Sequence, residues 1–179
     1  MKVMVLLANG FEEIEALTPV DVLRRAGAQV RTLSIHDDRT VTGAHEVPVV
    51  ADALFTGEET ADAVILPGGL PGATNLAEDE RVLALIRKQL ETEKTVGAIC
   101  AAPLALHAAG VLGGRRFTCY PGVEEEIGEG MHEASEIVVD GKLITGKGPA
   151  YAMDFALTLV EQLLGLEKRN EVAKGLLRK

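Results

Sequence analysis

Apolar and polar positions fall in blocks along this chain. Val3–Ala8 is a short unbroken apolar run, the pattern of a strand buried on both faces. Gln29–Ile35, Ala61–Leu66 and Thr95–Ile99 predict three more strands. Between them the period lengthens, and Val82, Leu83, Ile86 and Leu90 share one face of a helix predicted over Arg81–Leu90. Val20–Ala26 reads as the end of an earlier helix stopped by Gly27, and Ala101–Ala109 as an Ala/Leu-rich helix ended by Gly110. Ile137–Val139 and Lys142–Thr145 flank Asp140-Gly141, a hairpin signal. Pro149 is placed to open a helix with Met153, Ala156, Leu157, Val160, Leu163 and Leu164 on one face. A last short helix is predicted near Lys168–Leu177. Strands separated by helices predict an α/β fold with a doubly wound, mostly parallel sheet. No repeat or linker interrupts the pattern, so residues 1–179 are expected to form one domain.

Composition narrows the picture. Aromatics make up 3% of the chain and Trp is absent, so the core must be Val, Ile, Leu and Ala. The net charge of −9 argues against nucleic acid as a partner, because phosphate recognition needs a basic face. The first apolar run is too short to span a membrane and lacks the flanks of a signal peptide. Two cysteines, Cys100 and Cys119, do not make a disulfide framework, and a reducing cytoplasm is expected. His36, His45, His107 and His132 are scattered without ligand spacing, so no metal site is expected. Glu124, Glu125, Glu126 and Glu129 read as a solvated acidic surface.

Ligands of open α/β sheets bind at the carboxyl ends of the strands. Three such ends carry unusual residues: Asn9-Gly10-Phe11-Glu12-Glu13-Ile14-Glu15, Pro67-Gly68-Gly69, and Gly97-Ala98-Ile99-Cys100-Ala101-Ala102-Pro103. A strand that turns at once into a helix needs a strained corner residue with small neighbours two places away, as Ala98 and Ala102 provide around Cys100. The thiol is then expected to stand open at a helix N-terminus with a lowered pKa. The Ala101 amide would face an oxyanion, and the Gly69 amide could be a second donor. In the turn after the first strand, Glu15 sits on a different face from Glu12 and Glu13. One of the three should face the sheet end and share a proton with the thiol.

Taken together these segments resemble the ThiJ/PfpI superfamily, in the branch of the parkinsonism-associated protein deglycase and its bacterial relatives. The resemblance rests on Gly10–Glu15, Pro19–Gly27, Leu66–Gly69, Ala98–Pro103, and Gly148-Pro149 followed by Asp154-Phe155-Ala156, in order across nearly the whole chain. It implies the flavodoxin-like, class I glutamine amidotransferase-like sandwich, usually as a homodimer. It implies a reactive cysteine at Cys100, its acid partner at Glu15, oxyanion amides at Gly69 and Ala101, Gly68 and Tyr120 at the substrate site, and no cofactor. Activities of the branch are glutathione-independent glyoxalase, deglycation of early methylglyoxal and glyoxal adducts, redox sensing through cysteine sulfinate, and holdase chaperoning. The expected partners are thus small dicarbonyls or glycated side chains, with no nucleic acid and no membrane.

The departures also inform. Tyr120 stands where many branch members have a His. Ala101 follows the cysteine, which argues against the Cys-His dyad of the protease-like relatives, and no His-x-Glu occurs, which argues against glutamine amidotransfer. His45 stands near the place of an arginine that often reaches the site across the dimer, so His45 is an expected partner-subunit contact.

Overall fold

The computed structural model describes residues 1–178. In chain order the elements are β1 (Lys2–Leu7), α1 (Glu13–Arg25), β2 (Gln29–Ser34), β3 (Thr40–Thr42), β4 (Pro48–Val50), β5 (Ala53–Leu54) and β6 (Ala63–Leu66). Then come α2 (Gly72–Glu78), α3 (Glu80–Glu91), β7 (Thr95–Ile99), α4 (Pro103–Ala108) and β8 (Arg116–Phe117). A 3₁₀ turn at Val123–Glu126 leads to β9 (Met131–His132), β10 (Ile137–Asp140) and β11 (Leu143–Gly146). A second 3₁₀ turn at Pro149–Tyr151 opens α5 (Ala152–Leu164), and α6 (Leu166–Gly175) follows.

Seven strands form the main sheet in the order β10-β11-β7-β6-β1-β2-β5, parallel except for the β10–β11 hairpin. The doubly wound, flavodoxin-like prediction is borne out. Strand side chains alternate between two cores, as the pleat requires. Val3, Val5 and Leu7 of β1 face the layer holding α1, α5 and α6, whereas Met4 and Leu6 face α2, α3 and α4. β7 shows how the sequence sets the packing. A methyl on Gly97 would stand 3.0 Å from the Phe155 ring, so the glycine lets α5 lie close on the sheet.

The chain runs from β1 out to β2 on one side and returns to β6 on the other. That reversal is the place where an open sheet leaves a crevice above its carboxyl ends. β7, β6 and β1 are neighbours, so the three unusual strand ends meet there.

Some boundaries differ from the sequence reading. Asp140 pairs with Leu143, so the hairpin loop is Gly141-Lys142 and Asp140 belongs to the strand. α4 begins at Pro103, not at 101, because Ala101 and Ala102 belong to a tight turn in which the Ala102 N–H donates to the Ile99 carbonyl at 3.0 Å. α2 and the small β3–β4 and β8–β9 pairs were not predicted. Gly72-Ala-Thr-Asn-Leu-Ala-Glu is short and weak in helix propensity, and strands of two or three residues carry no readable period.

Candidate active site

Cys100 sits at the corner between β7 and the turn before α4. Its N–H donates to the Gly146 carbonyl at 2.9 Å and its carbonyl accepts from Tyr120 N–H at 2.9 Å. Both backbone groups are thus fixed by neighbouring segments, which hold a non-glycine residue in a conformation costing on the order of 1–3 kcal/mol. The small residues Ala98 and Ala102 are both fully buried around it.

The acid turn is built with equal care. Glu12 caps α1, its Oε2 accepting the Glu15 N–H at 2.8 Å. Glu13 turns the other way, its Oε1 accepting the His45 N–H at 2.8 Å and its Oε2 lying 2.9 Å from His45 Nδ1. Glu15 points inward and is fully buried, with Oε2 accepting the Gly68 N–H at 2.9 Å. The three acids therefore divide into a cap, a loop anchor and an inward carboxyl. The β3–β4 hairpin braces the turn through Gly10 N–H to the Thr42 carbonyl at 2.8 Å and Ala44 N–H to the Phe11 carbonyl at 2.7 Å. Sequence reading missed this brace.

Gly68 lets the thiol and the carboxyl approach each other. A methyl there would come within 2.6 Å of Glu15 Oε2 and 2.7 Å of the Cys100 Cβ. Gly68→Ala is therefore expected to lose about 1–3 kcal/mol of stability through overpacking. Gly128→Ala, where a methyl meets nothing within 4 Å, should lose much less. Urea unfolding of the two variants checks this.

Electrostatics corrects one expectation. The Cys100 thiol is pushed up to about 12, first by burial, then by the charge and hydrogen bonding of Glu15. The nearby Gly69 and Ala101 amides oppose the shift without cancelling it. A helix N-terminus cannot do more, because α4 starts three residues later and is six residues long. The residue is also less open than expected, at 8% exposure. Glu15 is pushed up to about 7, chiefly by burial, with the Glu12 charge adding to it while the Cys100 and Gly68 hydrogen bonds oppose. Its Oε1 is buried without a conventional hydrogen-bond partner. Between about pH 7 and about 12 the pair thus holds one proton.

The raised Glu15 value also has a stability consequence. The folded chain keeps a proton that an unfolded glutamate gives up near 4.5. Stability from this group is fully present below 4.5 and is lost as pH rises to about 7, by on the order of 3 kcal/mol. Glu15→Gln should lack that decline when urea unfolding is compared at the two ends of the window.

Gly69 and Tyr120 adjoin this pair, whereas His45 engages Glu13 on the exposed side of the acid turn. Gly69 (φ +85°) leaves no room for a side chain against the backbone of Gly10–Glu12. Tyr120 is half exposed, bound to the elbow through its backbone, with its ring over Gly148. His45 is exposed and engaged with Glu13, whose hydrogen bond and charge raise its pKa. Both cysteines are free thiols. Among the described residues no helix is long and apolar enough to cross a membrane.

A doubly wound sheet carrying a strained cysteine at one strand end and a buried carboxyl in the first turn of a nearby helix defines a class of α/β proteins built around a thiol–carboxyl pair. Residues 1–162 match the DJ-1/PfpI family, and the chain belongs to that family. Protein dj-1beta of Drosophila melanogaster is 38% identical over 178 residues, 97% of this chain and 95% of the fly protein. The crystal structure of Drosophila melanogaster DJ-1beta matches with a TM-score of 0.96 at 37% identity, covering 99% of this chain and 98% of that one. Glutathione-independent glyoxalase DJR-1.2 of Caenorhabditis elegans is 38% identical over 169 residues, 92% of this chain and 89% of the worm protein. Protein DJ-1 homolog A of Arabidopsis thaliana is 37% identical over 179 residues, 98% of this chain. The chain spans less than half the length of the Arabidopsis relatives it matches.

Proposed function

We propose that this chain is a cofactor-independent glyoxalase acting on methylglyoxal and glyoxal, and a deglycase toward their early adducts. The observation that carries the reading is the Cys100–Glu15 pair, buried together with two amides near the sulfur. A worm relative named a glutathione-independent glyoxalase supports it.

In this reading Cys100 adds to the aldehyde carbon, and its thiol proton passes through Glu15 to the new oxygen. The Gly69 and Ala101 N–H groups stabilise the oxyanion as it forms. Glu15, again a carboxylate, takes the proton from the hemithioacetal carbon and returns it to the neighbouring carbon through an enediol. The resulting thioester is hydrolysed by water, which restores the thiol and releases a 2-hydroxy acid. Methylglyoxal thus gives lactate, with no net oxidation. The slight exposure of Cys100, 8%, favours small dicarbonyls. Ile14 and Leu17, apolar and exposed beside the acid turn, offer surface for a homodimer in which His45 would lie near the partner. A reducing cytoplasm would keep Cys100 as a thiol.

The test is purified protein with methylglyoxal and no added thiol, read as lactate. The reading is wrong if wild type forms no lactate above Cys100→Ala. A redox sensor is the second reading, because a carboxyl with a pKa near 7 can donate a hydrogen bond to a sulfinate on Cys100. Mild peroxide should then add two oxygens to Cys100 while Cys119 stays reduced, and intact mass without that selectivity would rule it out.

A further inference from the structure

A second thiol lies in a different chemical setting. Cys119, just beyond β8, is buried, and its Sγ faces Glu124 Oε2 at 3.8 Å. The same oxygen accepts the Gly122 N–H at 2.7 Å, which fixes the carboxylate. β9 runs parallel to β8 with Phe117 opposite His132, and the imidazole tilts 54° against the Phe117 ring at 5.6 Å. One ligand atom each from Cys119, Glu124 and His132 lies within 4.8 Å of the others. The linear sequence hides this group, because its members come from a strand end, a 3₁₀ turn and a second strand.

We propose that Cys119, Glu124 and His132 bind a divalent cation of the zinc type. Thiolate, imidazole and a single carboxylate form the borderline donor set that zinc favours over magnesium or calcium. Bonds of roughly 2.0–2.3 Å place tetrahedral donors about 3–4 Å apart, so closure asks for a shift of about 1 Å. The exposed His132 can supply that shift by side-chain rotation and leaves a path from solvent. Three protein ligands leave a fourth position for water. Binding replaces the thiol proton, which goes to solvent, with a sulfur–metal bond and no change of oxidation state. Glu12, Glu13 and His45 also converge, but both Glu13 oxygens are already engaged by His45. The Tyr120 N–H binds the Cys100 carbonyl, so a cation at Cys119 would pin the segment that supports the elbow. The proposal does not rest on the glyoxalase reading.

Cobalt(II) provides the probe, added to chelator-washed Cys100→Ser protein so that the elbow thiol cannot contribute. One equivalent should bind with a thiolate-to-cobalt charge-transfer band in the near ultraviolet, and zinc should displace it. Cys119→Ser should abolish the band. His132→Asn, at an exposed position and with urea unfolding as a check on the fold, should weaken binding by at least about tenfold. No band in Cys100→Ser, a band that survives Cys119→Ser, or unchanged affinity in His132→Asn would each overturn the site.

Discussion

Cys100→Ala is expected to reduce lactate formation from methylglyoxal to the uncatalysed rate, a loss of at least about 10³-fold, while the protein stays folded. In the proposed mechanism the sulfur supplies the covalent step. Cys119 cannot substitute, because it packs in the other core layer and faces Glu124 rather than Glu15. Folding should survive because the elbow is held by its backbone. The bonds to Gly146 and Tyr120 remain in alanine, as does the left-handed φ. The loss of the buried sulfur costs about as much as one methyl group, on the order of 1 kcal/mol. Lactate assays and urea unfolding on the same preparation separate the two effects.

Glu15→Gln is expected to lower kcat by about 10²–10⁴ through loss of the proton shuttle. The amide keeps the shape and can still accept the Gly68 N–H through its carbonyl, so the site should stay assembled. The pH dependence distinguishes a chemical role from a structural one. A carboxylate base with a pKa near 7 gives a wild-type rate that rises as pH passes about 7. The sign follows from the form that acts: below that value Glu15 is protonated and cannot take the carbon-bound proton. Glu15→Gln should lose this rising limb, and its residual rate should follow the titration of the thiol alone. Steady-state rates across the neutral range check both points.

Much of this was legible in the sequence for identifiable reasons. Continuous apolar runs at Val3–Ala8 and Thr95–Ile99 mark strands covered on both faces, and the sheet contains both. Ala98 and Ala102 around Cys100 announced a tight corner, and the positive φ is there. The choice among Glu12, Glu13 and Glu15 was not legible from the turn itself, since it depends on the N-cap at Glu12 and the hairpin that engages Glu13. That hairpin, with strands of three residues, carries too little pattern to read. The thiol pKa was not legible for a similar reason. Dipole arguments can be made from a strand–helix junction, whereas burial and the distance to a carboxyl 85 positions away exist only after folding. The Cys119 cluster was invisible on the same ground.

The coupling between Cys100 and Glu15 is the centre of the account, and the pH dependence of Cys100 alkylation measures it most directly. The experiment compares Cys119→Ser protein with and without Glu15→Gln. The first should titrate well above the ordinary thiol value of 9.0, and the second should move downward because the neighbouring negative charge is gone. Identical curves in the two proteins, or a thiol that ionises below 9.0 while Glu15 is intact, would contradict the account.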